Sequence, residues 1–156
     1  MKLRFGMAAI AIVAVGAAAG CGSSSSSSTT STQAALTKSE FLAKGNAICK
    51  KGNQTINKAA HQTFAKGQKP TKSETQDFAT KTVIPSIQQQ ISAIKALPPP
   101  SGDEAQVTKI VDDAQAALDK AKQNPTLLTG NGPDPFKQVN KETKAYGLTA
   151  CGGGGG

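Results

Sequence analysis

The chain has 156 residues and a formal net charge of +8 at pH 7, with five phenylalanines, one tyrosine and no tryptophan. Arg4 is its only arginine, so the remaining positive charge lies on dispersed lysines, which lack the bidentate guanidinium that phosphate and base recognition favours. This composition argues against nucleic acid as a partner and predicts one modest domain whose core consists mainly of small aliphatic side chains.

The first 20 residues have the three parts of an export signal. Residues 1–4 are short and basic, residues 5–15 form an apolar run, and residues 16–20 are small. The apolar run is shorter than the roughly 20 residues that cross a bilayer, and serine and threonine follow it rather than a basic cluster. A cleaved signal peptide is therefore favoured over a retained transmembrane helix.

Cys21 directly follows Ala18, Ala19 and Gly20, an arrangement that looks like the lipobox of bacterial lipoproteins, although Ala18 stands where leucine is more usual. In a lipobox the cysteine thiol receives a diacylglyceryl group, with fatty-acyl chains such as palmitate, and cleavage makes the cysteine the new N-terminus. We therefore predict lipidation of Cys21, which would hold the protein in the lipid bilayer at the extracytoplasmic face of the cell membrane. The alternative is an ordinary secreted protein in which Cys21 is free.

A low-complexity segment of serine and threonine follows Cys21. It has almost no apolar side chain to bury, so burial could not offset the entropy of ordering it. We therefore expect four regions along the chain. They are a signal peptide over residues 1–20, the lipidated cysteine and a flexible linker over residues 21–36, a helical domain over residues 37–151, and a flexible glycine tail over residues 152–156.

The first helical pattern of the domain runs over about residues 38–66, where apolar residues recur at helical spacing. Thr37 and Glu40 have the spacing of a capping box, in which each side chain bonds the backbone N–H of the other residue. Gly67 and Pro70 are typical of a helix end. We expect one long helix between these signals.

The second pattern covers about residues 72–96 and starts with another capping pair, Thr71 and Glu74. Pro85 lies inside this pattern. Because proline lacks the backbone N–H that a helix needs, it should kink the helix or split it in two. Residues 97–100, with the sequence Leu-Pro-Pro-Pro, end the helix and form a stiff connector.

The third pattern has the clearest division into an apolar and a charged face, and we expect Ser101 and Glu104 to cap its start. It ends at Asn124, after which residues 125–132 read as a loop. This loop carries Leu127 and Leu128, which look exposed and are therefore candidates for an apolar docking patch.

The fourth pattern is short, over about residues 135–146, with Asp134 as the N-cap and Pro135 in the first turn. Gly147 and Leu148 indicate a Schellman ending, in which the glycine adopts the left-handed conformation and the leucine folds back. Short connections between helices favour antiparallel neighbours, so the sequence predicts an all-α domain with an antiparallel, four-helix bundle-like fold.

With Cys21 acylated, only Cys49 and Cys151 remain, and they allow a single intramolecular disulfide. An exported protein meets an oxidising environment, and in an antiparallel bundle the first helix starts at the end where the fourth helix finishes. We therefore predict that a Cys49–Cys151 disulfide closes the domain. The alternatives are a reactive thiol pair, intermolecular pairing, or metal ligation, which the absence of a CxxC motif and the single histidine, His61, disfavour.

Three segments of the domain resemble a group of small actinobacterial exported lipoproteins of unknown function. Residues 41–56, FLAKGNAICKKGNQTI, match the Phe-x3-Ala-Asn-Ala-Ile-Cys opening helix of that group, with Gly45 in place of the usual alanine. Residues 97–100 match its Leu-x-Pro-Pro hinge, and residues 145–151, AYGLTAC, match its Tyr-Gly-Leu…Cys ending. The resemblance implies a helical domain closed by Cys49 and Cys151, and it implies no activity.

The sequence shows no pattern of catalytic, metal-ligating or cofactor-binding residues. His61 stands alone, and the adjacent pairs Asp112–Asp113 and Asp103–Glu104 would splay apart on a helix rather than converge. We therefore expect no enzyme and no cofactor, but a membrane-anchored, non-catalytic helical module that binds an envelope protein or a cell-wall component. The alternative is a carrier of a small or hydrophobic ligand, with a pocket between helices near Pro85.

Overall fold

A computed structural model describes residues 34–64, 69–130 and 132–152, and these residues form helices and connecting loops without a strand. The predicted signal peptide, Cys21 and most of the predicted linker lie outside them. The helices are α1 (Lys38–Thr63), α2 (Lys72–Phe78), α3 (Ile84–Lys95), α4 (Glu104–Gln123) and α5 (Lys137–Tyr146). A π-helical turn, Ala79–Val83, joins α2 to α3, so the described residues make four helical rods. The prediction of an all-α, bundle-like domain is confirmed.

Both predicted capping boxes are present, at the starts of α1 and α2. Thr37 Oγ1 accepts a hydrogen bond from the Glu40 N–H, and the Glu40 carboxylate accepts one from the Thr37 N–H at 2.9 Å. Thr71 and Glu74 form the same pair, with the return bond at 2.8 Å. Each box satisfies backbone N–H groups that have no partner inside the helix, which is why both helices begin where the sequence predicts.

The end of α1 comes at Thr63, earlier than the pattern of apolar residues predicts. Phe64 already has an extended conformation, with φ −102° and ψ 120°. Its ring packs edge-on against Phe78 at the end of α2, with the ring centroids 5.1 Å apart. This aromatic contact stabilises the early end of α1, and no local sequence pattern reports it. The predicted terminator Gly67 lies outside the described residues.

Pro85 splits the second rod, as predicted, and the π-helical turn just before it accommodates the proline. Pro85 has no N–H to donate to the carbonyl one turn earlier, and its ring would crowd that carbonyl in a regular helix. In the π-helical turn the Ile84 N–H instead bonds the Ala79 carbonyl, five residues back. The wider turn relieves the backbone, and α3 then continues with the proline in its first turn.

The start of α4 differs from the predicted Ser101–Glu104 cap. The N-cap residue is Asp103, and its side chain makes no capping bond. The Asp103 carboxylate instead accepts hydrogen bonds from Lys38 Nζ at 2.8 Å and from the Tyr146 hydroxyl at 2.9 Å. The predicted cap is wrong, because the helix begins at Glu104 and the Glu104 carboxylate accepts from the Gly102 N–H at 2.8 Å rather than from Ser101.

The last helix, α5, begins two residues later than predicted and ends as predicted. Asp134 accepts a hydrogen bond from the Phe136 N–H at 2.8 Å, so it caps the turn before the helix rather than the helix itself. At the other end Gly147 has a φ of 108°, and the Leu148 N–H bonds the Thr143 carbonyl at 2.8 Å. The predicted Schellman ending is therefore confirmed, and it directs Leu148 into the core.

The core lies between the four rods and consists mainly of aliphatic side chains. Its largest fully buried side chains are Phe41, Leu118 and Leu148. The Phe41 ring meets the Tyr146 ring edge to face with centroids 6.1 Å apart, so the start of α1 packs against the end of α5. Further buried members come from α3, α4 and α5, namely Ile84, Ile91, Ile94, Val107, Ile110, Val111 and Val139.

The segment after α5 is held to α1 by a disulfide and by two asparagine side chains. The predicted Cys49–Cys151 bond is present, with the Cα atoms 5.0 Å apart. Asn46 donates to the Gly147 carbonyl at 3.0 Å and accepts from the Ala150 N–H at 2.8 Å. Asn53 donates to the Ala150 carbonyl at 2.9 Å. The chain ending is therefore fixed along the length of α1 by covalent and hydrogen bonds together.

Gly45 allows this ending to approach α1 closely. A Cβ atom at position 45 would lie 2.5 Å from Leu148 Cδ2, closer than such contacts occur. A methyl group of Leu148 thus occupies the space that an alanine side chain at position 45 would need.

Candidate ligand-binding cavity

A cavity of about 540 Å³ lies between the helices. Residues of α1, α3, α4, α5 and the segment after α4 line it, as do Leu148 and Cys151 from the chain ending. Its apolar wall includes Ile87, Ile91, Ile94, Ile110, Val111, Ala114, Leu127, Leu128, Phe136 and Val139. This volume lies within the range of about 300–1,000 Å³ that small-molecule sites in proteins occupy.

The apolar wall is built by the spacing of residues on two neighbouring helices. Ile87, Ile91 and Ile94 recur every three or four residues on α3, so they share one face of that helix. On α4, Val111 and Ala114 repeat the same spacing. Ala114 is the small member of the wall, and its short side chain leaves space that the longer neighbours do not fill.

Leu127 and Leu128 are not the exposed patch that the sequence suggests. Pro125–Leu128 forms a 3-10 helix, and the Asn124 side chain accepts from the Thr126 N–H at 3.3 Å to start it. This turn brings both leucines inward, where they are half-buried and line the cavity. Both leucines turn inward because their apolar side chains gain burial against the helices beside them.

Three of the polar lining residues, Asn53, Asn140 and Thr143, lie near the chain ending. Asn53 on α1 donates to the Ala150 carbonyl, and Thr143 on α5 donates to the Asn140 carbonyl at 3.1 Å. Gly152 is buried against the Asn140 carbonyl, and the rest of the predicted glycine tail lies outside the described residues. Two further lining residues carry side-chain amides, Asn57, which is exposed, and Asn140, which is half-buried.

The disulfide forms part of the cavity lining, at the end where the polar residues lie. Cys49 is 2% exposed, and both cysteines face the cavity. A thiol pair is therefore not available for nucleophilic chemistry in this state, and the sulfur atoms contribute apolar surface. Cys21, the third predicted site residue, lies outside the described residues.

A second polar cluster joins the starts of α1 and α4 to the end of α5. Lys38 Nζ lies 3.5 Å from the Tyr146 ring centroid and 2.8 Å from Asp103 Oδ2. Burial and the hydrogen bond to Asp103 raise the pKa of the Tyr146 hydroxyl. The cluster connects three chain segments and stands apart from the cavity lining, so its role is structural.

The Asp103 cluster predicts a loss of stability in acid. Hydrogen bonds from Lys38 and then from Tyr146 lower the pKa of the Asp103 carboxyl. A carboxyl with a lowered folded-state pKa stabilises the fold above its unfolded pKa, about 3.9, and the contribution is lost as the pH falls through the folded value. Urea unfolding should therefore show wild type more stable than Asp103→Asn at pH 7, with the difference shrinking towards pH 2.

Asp112→Asn is the matched control for this pH series, because Asp112 is exposed on the same helix and has no hydrogen-bond partner among the described residues. The change of the stability difference between pH 7 and pH 2 should be larger for Asp103→Asn, which loses two hydrogen bonds, than for Asp112→Asn. A difference between wild type and Asp103→Asn that does not change over this range would contradict the prediction.

The remaining titratable residues that the sequence singles out are not brought together. His61 is exposed in the last turn of α1. Asp113 pairs with Lys109, and Glu104 bonds a backbone N–H. No group of three metal-ligating side chains occurs among the described residues.

Within the residues that the structure describes, no helix is both long and apolar enough to span a bilayer.

Comparison of the chain with protein-family models, with curated proteins and with solved structures gives no match.

Proposed function

We propose that the protein is a lipoprotein, anchored through acylated Cys21 at the extracytoplasmic face of the cell membrane, whose helical domain binds an apolar small molecule without transforming it. The anchor is supported by the basic, apolar and small segments that precede Cys21 in the sequence. The binding role is supported by one observation above all, the cavity of about 540 Å³ with its wall of isoleucine, leucine and valine side chains.

The positions of Leu127 and Leu128 favour a ligand carrier over a module that docks onto an envelope protein or a cell-wall component. The docking hypothesis needs an exposed apolar patch, for which these two residues are the sequence candidates. They line the cavity instead, so their apolar surface faces a ligand-sized space. This arrangement is the one that a pocket between helices requires.

The chemistry of the lining supports binding rather than catalysis. General acid–base or nucleophilic catalysis needs titratable groups that converge on a reacting atom. Among the described lining residues the titratable side chain is that of Asp134, which is exposed, while the two cysteines are joined in the disulfide. The other polar groups are amides and one hydroxyl, which hydrogen-bond a ligand but do not exchange protons with it at neutral pH.

Filling the cavity tests the proposal. In Ala114→Phe the ring occupies space beside the α3 isoleucines, and we expect it to weaken ligand binding at least tenfold while the fold is kept. The measurement is fluorescence titration with N-phenyl-1-naphthylamine, an uncharged dye that brightens in apolar surroundings. The protein is the processed chain, residues 21–156, with Cys21→Ser to leave out the acyl groups.

Ala116→Phe is the matched control, since Ala116 is exposed on the same helix and does not line the cavity. It should bind the dye as the parent chain does. Circular dichroism of both variants checks that the helices are intact. Equal dye binding by folded Ala114→Phe and by the parent chain, or no dye binding by the parent chain, would overturn the proposed function.

A further inference from the structure

We infer that the ligand is an uncharged amphiphile, with an apolar chain or ring system and a single hydroxyl, ester, amide or ketone group, and that the site rejects carboxylates and phosphates. The inference rests on the proposed function and concerns the chemical class of the ligand. The observation that carries it is the distribution of charge around the cavity.

No cationic side chain is among the described residues that line the cavity. The chain is rich in lysine, but none of the lysines that the structure describes lines this space. On α5, for example, Asn140 and Thr143 line the cavity, whereas their neighbours Lys141 and Lys144 are exposed. Asp134, the single charged side chain among the described lining residues, carries the same sign as an anionic ligand would. The described lining therefore offers no charge that would neutralise a carboxylate or a phosphate.

An anionic headgroup would lose its hydration in the cavity without gaining a counter-ion. Burial of an unpaired carboxylate in apolar surroundings is costly enough that the group takes up a proton instead. A neutral hydroxyl or carbonyl loses far less, and one hydrogen bond offsets most of that loss. The lining thus discriminates by charge, because it satisfies neutral polar groups and leaves ionic ones unpaired.

The polar end of the cavity is suited to one neutral headgroup. The Asn53 side chain and the Asn140 main-chain carbonyl both meet the segment formed by residues 150–152, and the half-buried Asn140 and the exposed Asn57, one turn along α1 from Asn53, are also lining residues. A side-chain amide offers two N–H donors and a carbonyl acceptor, so it can bond a hydroxyl, an ester or an amide in either direction. The isoleucines of α3 and the aliphatic residues of α4 supply the apolar end, which sets the direction of the ligand.

The test compares three ligands that have the same decyl chain and differ in the headgroup. Decan-1-ol, decanoate and decyltrimethylammonium are used to displace N-phenyl-1-naphthylamine from the processed chain with Cys21→Ser, at pH 8, where decanoate is ionised. We expect half-displacement by decan-1-ol at a concentration at least tenfold lower than by decanoate, which the described lining cannot neutralise, and than by decyltrimethylammonium, for which the exposed Asp134 offers only a water-screened partner.

A variant with an added cation separates the role of the lining from the general preference of apolar sites for neutral ligands. Asn140→Lys places an ammonium group at the polar end, and the discrimination between decan-1-ol and decanoate should fall at least threefold. Ala145→Lys adds the same charge at an exposed position of the same helix and should leave the discrimination unchanged.

The outcomes separate this inference from the proposed function. Equal or tighter binding of a charged ligand by the parent chain, displacement by none of the three ligands, or unchanged discrimination in Asn140→Lys would overturn the assignment of an uncharged ligand while the cavity remained a binding site. Failure of the parent chain to bind the dye at all would instead overturn the proposed function.

Discussion

Reduction of the Cys49–Cys151 disulfide is expected to lower the free energy of unfolding by about 4–5 kcal/mol. The bond joins residues that are 102 positions apart, so it restricts the unfolded chain as a closed loop that covers most of the domain. Domains of this size are typically stable by only about 5–15 kcal/mol, so the loss is a large fraction of the total. The measurement is urea unfolding of the processed chain with Cys21→Ser, oxidised or reduced with a phosphine.

Reduction is expected to act mainly by increasing the conformational entropy of the unfolded chain, because other contacts hold the chain ending in the folded state. Asn46 and Asn53 keep their bonds to Gly147 and Ala150 when the sulfur atoms separate. The double variant Cys49→Ala/Cys151→Ala controls for the reductant and should lose slightly more, because it also removes buried sulfur atoms. A difference below about 1 kcal/mol between oxidised and reduced protein would contradict the entropic account.

Cys21→Ser is expected to move the protein from the membrane fraction to the soluble fraction, or to block its processing. Each buried CH2 contributes about 0.8 kcal/mol, and two acyl chains hold a protein stably where one does so only marginally. Cell fractionation gives the partition, and mass spectrometry of the N-terminal peptide shows whether position 21 carries acyl mass. Ser24→Ala, in the predicted linker, is the control that should keep both properties. Unchanged membrane retention and processing in Cys21→Ser would count against lipidation.

Local sequence signals were the ones that predicted the fold best. Thr37 with Glu40 and Thr71 with Glu74 act over three residues, so the sequence alone contains both partners of each cap. Pro85 interrupts its own helix for a reason that is local as well. At the start of α4, by contrast, the carboxylate of Asp103 bonds Lys38, 65 positions away, and no pattern within one helix contains that partner.

The cavity could be predicted only as an alternative. Its isoleucines have the spacing of ordinary core residues, and a stripe on one helix does not show whether the facing helices fill the space opposite. Residues near Pro85, among them Val83 and Ile87, line the cavity. The inward turn of Leu127 and Leu128 could not be foreseen, since it depends on how the segment after α4 packs against neighbouring elements.

The π-helical turn before Pro85 has a consequence for the face that α3 presents to the cavity. Each residue of an α-helix advances the side-chain direction by about 100°, and a π-helical turn takes one more residue than an α-helical one for each hydrogen bond. Because of the turn Ala79–Val83, the side chains of α3 point in different directions from those that a continuous α-helix of the same sequence would give. If the same number of residues formed a regular α-helix instead, Ile87, Ile91 and Ile94 would be rotated by about 100° about the helix axis relative to α2. The apolar wall depends in this way on the number of residues in the turn as much as on their identity.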